Sequence, residues 1–356
     1  MLALPTVSSD EPFRCRLICS RLEGVKVLII GGGGMIGQKL AQSLIRSAKI
    51  GDLNITSLTL ADALAPADIA ELSSFEIKKE VADITNPVAA SSLVVDKPDL
   101  IFHLAAIVSG EAEANFEKGY AVNVEGVRNV LEAIRATGNG YKPKLVFTSS
   151  VAVYGGPYPD LIDDDFHLQP RTSYGAQKAI AELLVNDYTR KGFVDGISIR
   201  LPTICIRPGK PNKAASGFFS NILREPLVGI EAILPAQKSS TNIFASPRSA
   251  VGFLIHAATI DASSLGDNRA LMMPGVWGTV QDEIDALRRV AGDEIVALIK
   301  EQPDPAVERM VENWNFARFS SAKAALLGFK SESTLDQIIQ IHIEDELGGR
   351  ITGLTK

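Results

Sequence analysis

Cysteine and long apolar runs are both scarce in this sequence. The three cysteines among its 356 residues, Cys15, Cys19 and Cys205, are odd in number and form no Cys-x-x-Cys pair. That pattern argues against a disulfide framework and a zinc site, and we expect no metal. No segment approaches the ~18 to 20 consecutive apolar residues of a membrane-spanning helix. We therefore expect a cytoplasmic protein that does not bind a membrane.

Basic residues are fewer than acidic ones. Lysine and arginine number 36 against 42 aspartates and glutamates, for a net charge of -6. A surface that binds nucleic-acid phosphates needs a basic excess, so nucleic acid is not an expected partner. With 46% hydrophobic and 22% charged residues, the composition is typical of a globular protein. The length allows one large domain or two closely packed ones.

A glycine-rich segment follows the first apolar run. Residues 1–24 show no periodicity and are predicted to be an N-terminal extension. Val25 to Ile30 is then continuously apolar, and glycines follow at positions 31, 34 and 37 before a helical pattern. Such glycines permit a tight turn, a close approach of the backbone to a pyrophosphate, and tight packing of helix on strand. We predict a dinucleotide-binding turn, with a merely flexible loop as the alternative.

Later strands end in residues suited to the rest of a dinucleotide. Leu58 to Leu60 predicts a strand that delivers Asp62, whose carboxylate would bind both adenosine ribose hydroxyls and repel a 2′-phosphate. This favours NAD over NADP, although the aspartate could instead cap a helix. Phe75 to Val81 predicts a strand that leaves Asp83 and Ile84 near the adenine. After the predicted strand Leu100 to Leu104, two alanines allow close approach of a cofactor. Asn123 of the next helix could contact the cofactor, or it could instead form a local hydrogen bond.

A tyrosine and a lysine lie four residues apart in Tyr174-Gly-Ala-Gln-Lys178. Helical spacing puts both on one face, so the ammonium can favour the ionised phenol, which otherwise titrates near pH ~10. Alone, such a pair more often belongs to a solvated helix face. Here the strand Lys144 to Thr148 ends at Ser149 and Ser150, at the edge of the sheet where ligands bind.

Strands and helices alternate through Gly196 to Leu201. This pattern predicts an α/β fold: a doubly wound parallel sheet (Rossmann) with a smaller mixed α/β substrate lobe. We divide the chain into the extension 1–24, an NAD-binding domain 25–203, and a mainly substrate-binding lobe 204–356 from which elements can return to the first domain.

Together these motifs resemble the extended short-chain dehydrogenase/reductase family, of NAD-dependent epimerase/dehydratase type. The resemblance runs from Val25 onward and rests on the glycine spacing, His103-Leu-Ala-Ala106, Tyr154-Gly155, the Tyr-x-x-x-Lys pair and Arg200-Leu-Pro202. It implies that Ser150, four residues before Tyr154, is catalytic rather than Ser149. It also implies a homodimer that pairs through the helices carrying Asn123 and Tyr174. The residues expected to bind NAD are Gly31, Gly34, Met35, Ile36, Gly37, Asp62, Asp83, Ile84, Leu104, Ala105, Ala106, Asn123, Tyr174, Lys178 and Pro202.

Within that family, three segments are most similar to enzymes that oxidise a four-carbon sugar acid: His103–Ala114, Arg200–Asn212 and Phe244–His256. The resemblance implies oxidation of the C2 hydroxyl of D-erythronate by NAD, with Tyr174 as base. A buried carboxylate requires a cation or several donors. The candidates to bind the substrate are Arg207, Lys210 and Arg248 as cations, with Ser109 and Asn212 as neutral donors, besides Ser150 and Tyr174 at the reacting oxygen.

Two other functions remain open at this point. One is a nucleotide-sugar 4-epimerase or dehydratase with tightly bound NAD, and the other is a non-catalytic NAD(P)-binding regulator. Many sugar-nucleotide epimerases have Asn-Val-Tyr-Gly-Pro after the Arg-x-Pro strand, whereas this chain has Ile204-Cys-Ile-Arg-Pro-Gly209. That departure weakens the first alternative. The intact serine, tyrosine and lysine weaken the second, because a sensor needs no activated base.

Overall fold

The computed structural model describes residues 24–209, 216–312 and 318–354, so the predicted extension lies almost wholly outside the described residues. Its strands are β1 (Val25–Ile30), β2 (Lys49–Ile50), β3 (Leu53–Asp62), β4 (Glu76–Val81), β5 (Leu100–His103), β6 (Lys144–Ser150), β7 (Leu161–Ile162), β8 (Asp195–Leu201), β9 (Thr203–Ile204), β10 (Ala232–Leu234), β11 (Thr241–Ala245), β12 (Ala270–Met272), β13 (Val276–Thr279), β14 (Ile299–Glu301) and β15 (Arg318–Phe319).

Its α-helices are α1 (Met35–Ser47), α2 (Pro87–Ser92), α3 (Ser109–Ala114), α4 (Phe116–Tyr120), α5 (Val127–Thr137), α6 (Ser173–Arg190), α7 (Gly217–Leu227), α8 (Pro247–Thr259), α9 (Val280–Ala291), α10 (Asp293–Val296), α11 (Pro305–Glu312), α12 (Ala322–Leu326) and α13 (Leu335–Glu346). A π-helical turn, Ala121–Gly126, joins α4 to α5. None of the described helices is both long and apolar enough to cross a membrane.

One large sheet carries most of the fold. Its strands run in the order β12-β8-β6-β5-β1-β3, and both β2 and β4 pair with β3. All of these pairs are parallel except β2 with β3. Val27 and Ile29 of β1 pack in one apolar layer with α1 and α8, whereas Leu28 and Ile30 pack in another with α5 and α6. Burial on both faces explains the unbroken apolar run, and the arrangement confirms the predicted doubly wound α/β fold.

A second apolar core lies in the carboxyl-terminal part of the chain. It is built on α7, α9 and α13, together with residues of the short strands β10 and β11. β9, β11 and β13 form a separate three-stranded sheet, in which β9 is parallel and β13 antiparallel to β11. Between β11 and β13 the chain returns to the large sheet, because β12 pairs with β8. The boundary at residue 203 remains a prediction.

Candidate active site

A cavity of about 380 Å³ opens at the carboxyl ends of the parallel strands. The glycine turn, the ends of β5, β6 and β8, the start of α6, and the segment around β9 and β11 all contribute to its walls. Ligands bind at this edge in doubly wound sheets because the strand ends and helix N-termini converge there. The cavity therefore collects residues from both parts of the chain.

The glycine turn is shaped by close backbone contacts. Gly31 has φ of +90°, and a Cβ atom there would lie 2.5 Å from the Ala105 nitrogen. A Cβ at Gly37 would lie only 2.2 Å from the Gly31 oxygen, so α1 can approach β1 only if this residue is glycine. Gly34 precedes α1 without a capping side chain, which leaves the amides of the first turn to an anion. Gly31, Gly34, Met35, Ile36 and Gly37 all line the cavity, an arrangement that fits a dinucleotide pyrophosphate.

Asp62 lies beside the glycine turn as the last residue of β3. Its Oδ2 accepts a hydrogen bond from the Gly33 amide at 2.9 Å, and its Oδ1 accepts one from the Ala63 amide at 2.8 Å. No helix follows it in the described chain before residue 87, so it is not a helix cap. Asp83 is exposed and Ile84 is buried, and neither belongs to the wall of the cavity.

Asn123 is fully engaged with protein groups. The side chain is buried, its Oδ1 accepts from the Ile107 amide at 2.8 Å, and its Nδ2 donates to the Ile107 oxygen at 3.0 Å and to Gln177 Oε1 at 2.7 Å. These bonds tie the segment after β5 to α6. Of the two roles considered for Asn123, the structure shows the local hydrogen bonds. Leu104 and Ala106 of that segment line the cavity, while Ala105 packs behind them against Gly31.

Ser150, Tyr174 and Lys178 meet in the wall of the cavity. Thr172 is the N-cap of α6, because its hydroxyl accepts a hydrogen bond from the Gly175 amide at 3.1 Å. Tyr174 is thereby placed on the first turn, hydrogen-bonded to the Ser150 side chain, with Lys178 one turn later. Lys178 Nζ donates to the Thr148 oxygen at 2.7 Å and lies 5.8 Å from the centre of the Tyr174 ring.

The electrostatics of this group add one residue, Arg207, to the sequence expectation. Burial raises the pKa of Tyr174, and the guanidinium of Arg207 and the hydrogen bond from Ser150 act against that rise. Burial lowers the pKa of Lys178 to about 7, while the Glu182 carboxylate, one turn further along α6, acts to raise it. Arg207 is thus a cation that favours the phenolate, beside Lys178, to which sequence reasoning assigns the same effect.

The candidate substrate-binding residues fall into three groups. Arg207 and Ser109 line the cavity, and Arg207 is fixed by bonds from Nε to the Ile204 oxygen at 3.0 Å and from Nη2 to Ser216 Oγ at 3.2 Å. Arg248 does not reach the site, because it lies on the surface of α8 and pairs with Glu344 and Asp345 of α13. The remaining two candidates, Lys210 and Asn212, lie outside the described residues.

Sequence reasoning missed several residues of the cavity wall. Pro202 lines it as expected, but Thr203, Ser216 and Asn242 do so as well. Asn242 follows the polar Thr241 at the start of β11, before the apolar residues 243–245, so no local pattern marked it as a site residue. It could not be interpreted from sequence, because β11 reaches the cavity only by pairing with β9.

Comparisons with known proteins agree with this geometry. A model of the NAD dependent epimerase/dehydratase family matches residues 27–236. A D-erythronate dehydrogenase of Cupriavidus necator is 41% identical over 325 residues, which cover 90% of this chain and 98% of the relative. Another, from Haemophilus influenzae, is 40% identical over 323 residues, covering 91% and 100%. The crystal structure of the nucleoside-diphosphate-sugar epimerase from Agrobacterium tumefaciens superposes with a TM-score of 0.89 at 54% identity, covering 92% of this chain and 96% of that one.

Proposed function

The chain belongs to the NAD-dependent epimerase/dehydratase family, and we propose that it oxidises the C2 hydroxyl of D-erythronate to the 2-keto acid, with NAD as the oxidant. One observation carries this proposal: a tyrosine positioned to act as a base and a fixed guanidinium, Tyr174 and Arg207, line the same cavity beside the glycine turn. The substrate needs both groups, because it brings a hydroxyl to be deprotonated and a carboxylate to be neutralised. The D-erythronate dehydrogenases to which the chain is similar support the same assignment.

Five residues would hold the cofactor in the proposed mechanism. Gly31 and Gly34, with the first-turn amides of α1, would bind the pyrophosphate, Asp62 the adenosine ribose, and Lys178 the nicotinamide ribose, with Pro202 against the nicotinamide. When bound, NAD supplies the acceptor for the hydrogen and electron pair that leave C2.

The protein's own groups then handle the proton and the substrate's charge. Ser150 orients the C2 hydroxyl, and Tyr174 as phenolate removes its proton, so that the C2–O bond becomes a carbonyl. Arg207 lies close enough to lower the pKa of Tyr174. In the proposed complex it also pairs with the substrate carboxylate, an interaction that a buried charge requires.

A nucleotide-sugar epimerase is the second candidate, favoured by the name of the Agrobacterium tumefaciens relative. The two functions differ in the fate of the cofactor. We would incubate the protein with NAD and a panel of four-carbon sugar acids, UDP-sugars and dTDP-sugars, and measure NADH and product identity. NADH formed with D-erythronate supports the dehydrogenase. Sugar conversion without net NADH supports the epimerase, and cofactor binding without any reaction supports the regulator.

We also propose that the protein forms a homodimer through α6 and the helical segment that runs from α4 to α5. Leu183 on α6 has 65% of its surface exposed, and Phe116 on the adjacent α4 has 58%. Large apolar side chains exposed on neighbouring helices are typical of an interaction surface. The resemblance to the family implies pairing through the same helices.

A further inference from the structure

Asn242 is a buried polar side chain that the mechanism above does not use. It lies in β11, only 1% of its surface is exposed, and it forms part of the cavity wall. A buried amide has two donor hydrogens and an acceptor oxygen to satisfy, and each group left without a partner is destabilising. Its orientation therefore determines what it offers to a ligand.

Backbone chemistry fixes that orientation. The Ile243 amide lies 2.8 Å from Asn242 Oδ1, and the Thr203 hydroxyl lies 3.1 Å from the same atom. A backbone N–H can only donate, so the atom facing it must be the amide oxygen and not the nitrogen. Nδ2 is then turned away from the Ile243 amide, and it has no hydrogen-bond partner among the described residues. Because the residue lines the cavity, Nδ2 is the atom left to face a ligand.

We infer that Asn242 Nδ2 donates a hydrogen bond to the carboxylate of the substrate, in the cavity that Arg207 also lines. Both side chains present donors and no acceptor, and an ionised carboxylate is an acceptor-only group. This pair of donors therefore favours a carboxylate over a hydroxyl, and a ligand without a carboxylate leaves buried donors unpaired. This inference rests on the proposed oxidation of a sugar acid and adds a specificity-determining residue to it.

The substitution Asn242→Asp tests the inference with the smallest structural change. It replaces Nδ2 by oxygen, keeps the acceptor for the Ile243 amide, and places negative charge next to the carboxylate. We expect the Kd of D-erythronate for the enzyme–NADH complex, measured by calorimetry, to rise by about 100-fold or more. The Kd of NADH should change by less than about threefold. The control is Asn268→Asp, an exposed residue outside the cavity whose Oδ1 accepts a backbone amide in the same way, and it should bind D-erythronate normally.

Each result has a definite meaning. If Asn242→Asp no longer binds NADH, then Asn242→Ser, which lacks both the charge and the amide, takes its place, with an expected loss of about tenfold. Unchanged D-erythronate affinity in the variant that binds NADH would overturn the inference, and so would failure of the wild type to bind D-erythronate. A wild type that binds D-erythronate in an Asn242-dependent manner but reduces no NAD would overturn only the proposed function.

Discussion

Burial and neighbouring charge have opposite effects on the pKa of Tyr174. Burial raises the pKa of the phenol, whereas Arg207 and Ser150 lower it. The balance of these opposing effects sets the pKa of the phenol, and the hydroxyl oxygen is the one atom that proton transfer requires.

Removing that atom should abolish turnover. We expect Tyr174→Phe to lower kcat by about 10³-fold or more, with the Kd of NAD unchanged within about threefold. Tyr141→Phe is the matched control, because its hydroxyl donates to the Pro98 oxygen away from the cavity. Steady-state kinetics and NAD titration of both variants test this, and a Tyr174→Phe enzyme with wild-type kcat would contradict the role of base.

Lys178 makes the stability of the protein dependent on pH. Burial lowers its pKa from 10.5 to about 7, so between those values the unfolded chain binds a proton that the folded protein lacks. This contribution raises stability as pH increases from 7 toward 10.5, by at most about 1.4 kcal/mol per pH unit. Below pH 7 the cost of the buried charge is fully present.

A neutral side chain of similar length removes this dependence. We expect Lys178→Met to unfold at a higher temperature than the wild type at pH 7, with the difference shrinking as pH approaches 10. Thermal unfolding followed by circular dichroism over a pH series measures it. Lys300→Met, at an exposed position, should show almost no difference at any pH. A difference in unfolding temperature between Lys178→Met and the wild type that stays constant with pH would rule out the buried charge as its cause.

At the scale of elements, the strand, glycine turn and helix from Val25 to Ser47 follow from local sequence. Each part depends on a few adjacent residues, and so do the N-caps of α6 and α9, where Thr172 and Thr279 each accept a hydrogen bond from the amide three residues further on. Long-range features were not predictable in this way. The position of Asn242 depends on the pairing of β11 with β9, about forty residues earlier in the chain. Arg248 does not line the cavity, because it pairs with acidic residues of α13.

Two helical glycines provide a direct test of the packing at the turn. A Cβ at Gly37 would collide with the Gly31 oxygen at 2.2 Å, whereas a Cβ at Gly252 of α8 would meet no atom within 4 Å. We expect Gly37→Ala to weaken NAD binding by tenfold or more and to lower the Tm, because α1 must move away from β1. Gly252→Ala should leave NAD binding unchanged and stabilise the protein by about 0.5 to 1 kcal/mol. Equal effects of the two substitutions would contradict this account.

At the scale of the whole molecule, the site lies between two parts of the fold. One is the large sheet with its helices, and the other is the smaller part built around the second apolar core. The large sheet and the helices packed on it supply the glycine turn, Ser150, Tyr174 and Lys178, while the β9–β11 region supplies Arg207 and Asn242. The sequence predicts the first set well, because those residues end predicted strands or begin a predicted helix. The second set depends on how the smaller sheet packs against the larger one, which no local pattern encodes.

The proposed dimer is also tested at this scale. Leu183→Glu introduces a charge into the proposed interface on α6, and we expect it to convert a dimer to a monomer at micromolar concentration. Leu326→Glu is the control, because Leu326 on α12 is even more exposed, at 89%, and lies outside that surface. Size-exclusion chromatography with light scattering gives the mass. A monomeric wild type, or a dimer that survives Leu183→Glu, would contradict the proposal.

The central claim is that the hydrogen on C2 of a sugar acid leaves with its electron pair as Tyr174 removes the hydroxyl proton. The most direct test uses D-erythronate carrying deuterium at C2, incubated with the protein and unlabelled NAD, followed by mass spectrometry of the released cofactor. We predict one deuterium in each molecule of reduced cofactor and none in the keto acid product at C2. Reduced cofactor without deuterium, or no reduced cofactor at all, would contradict the claim.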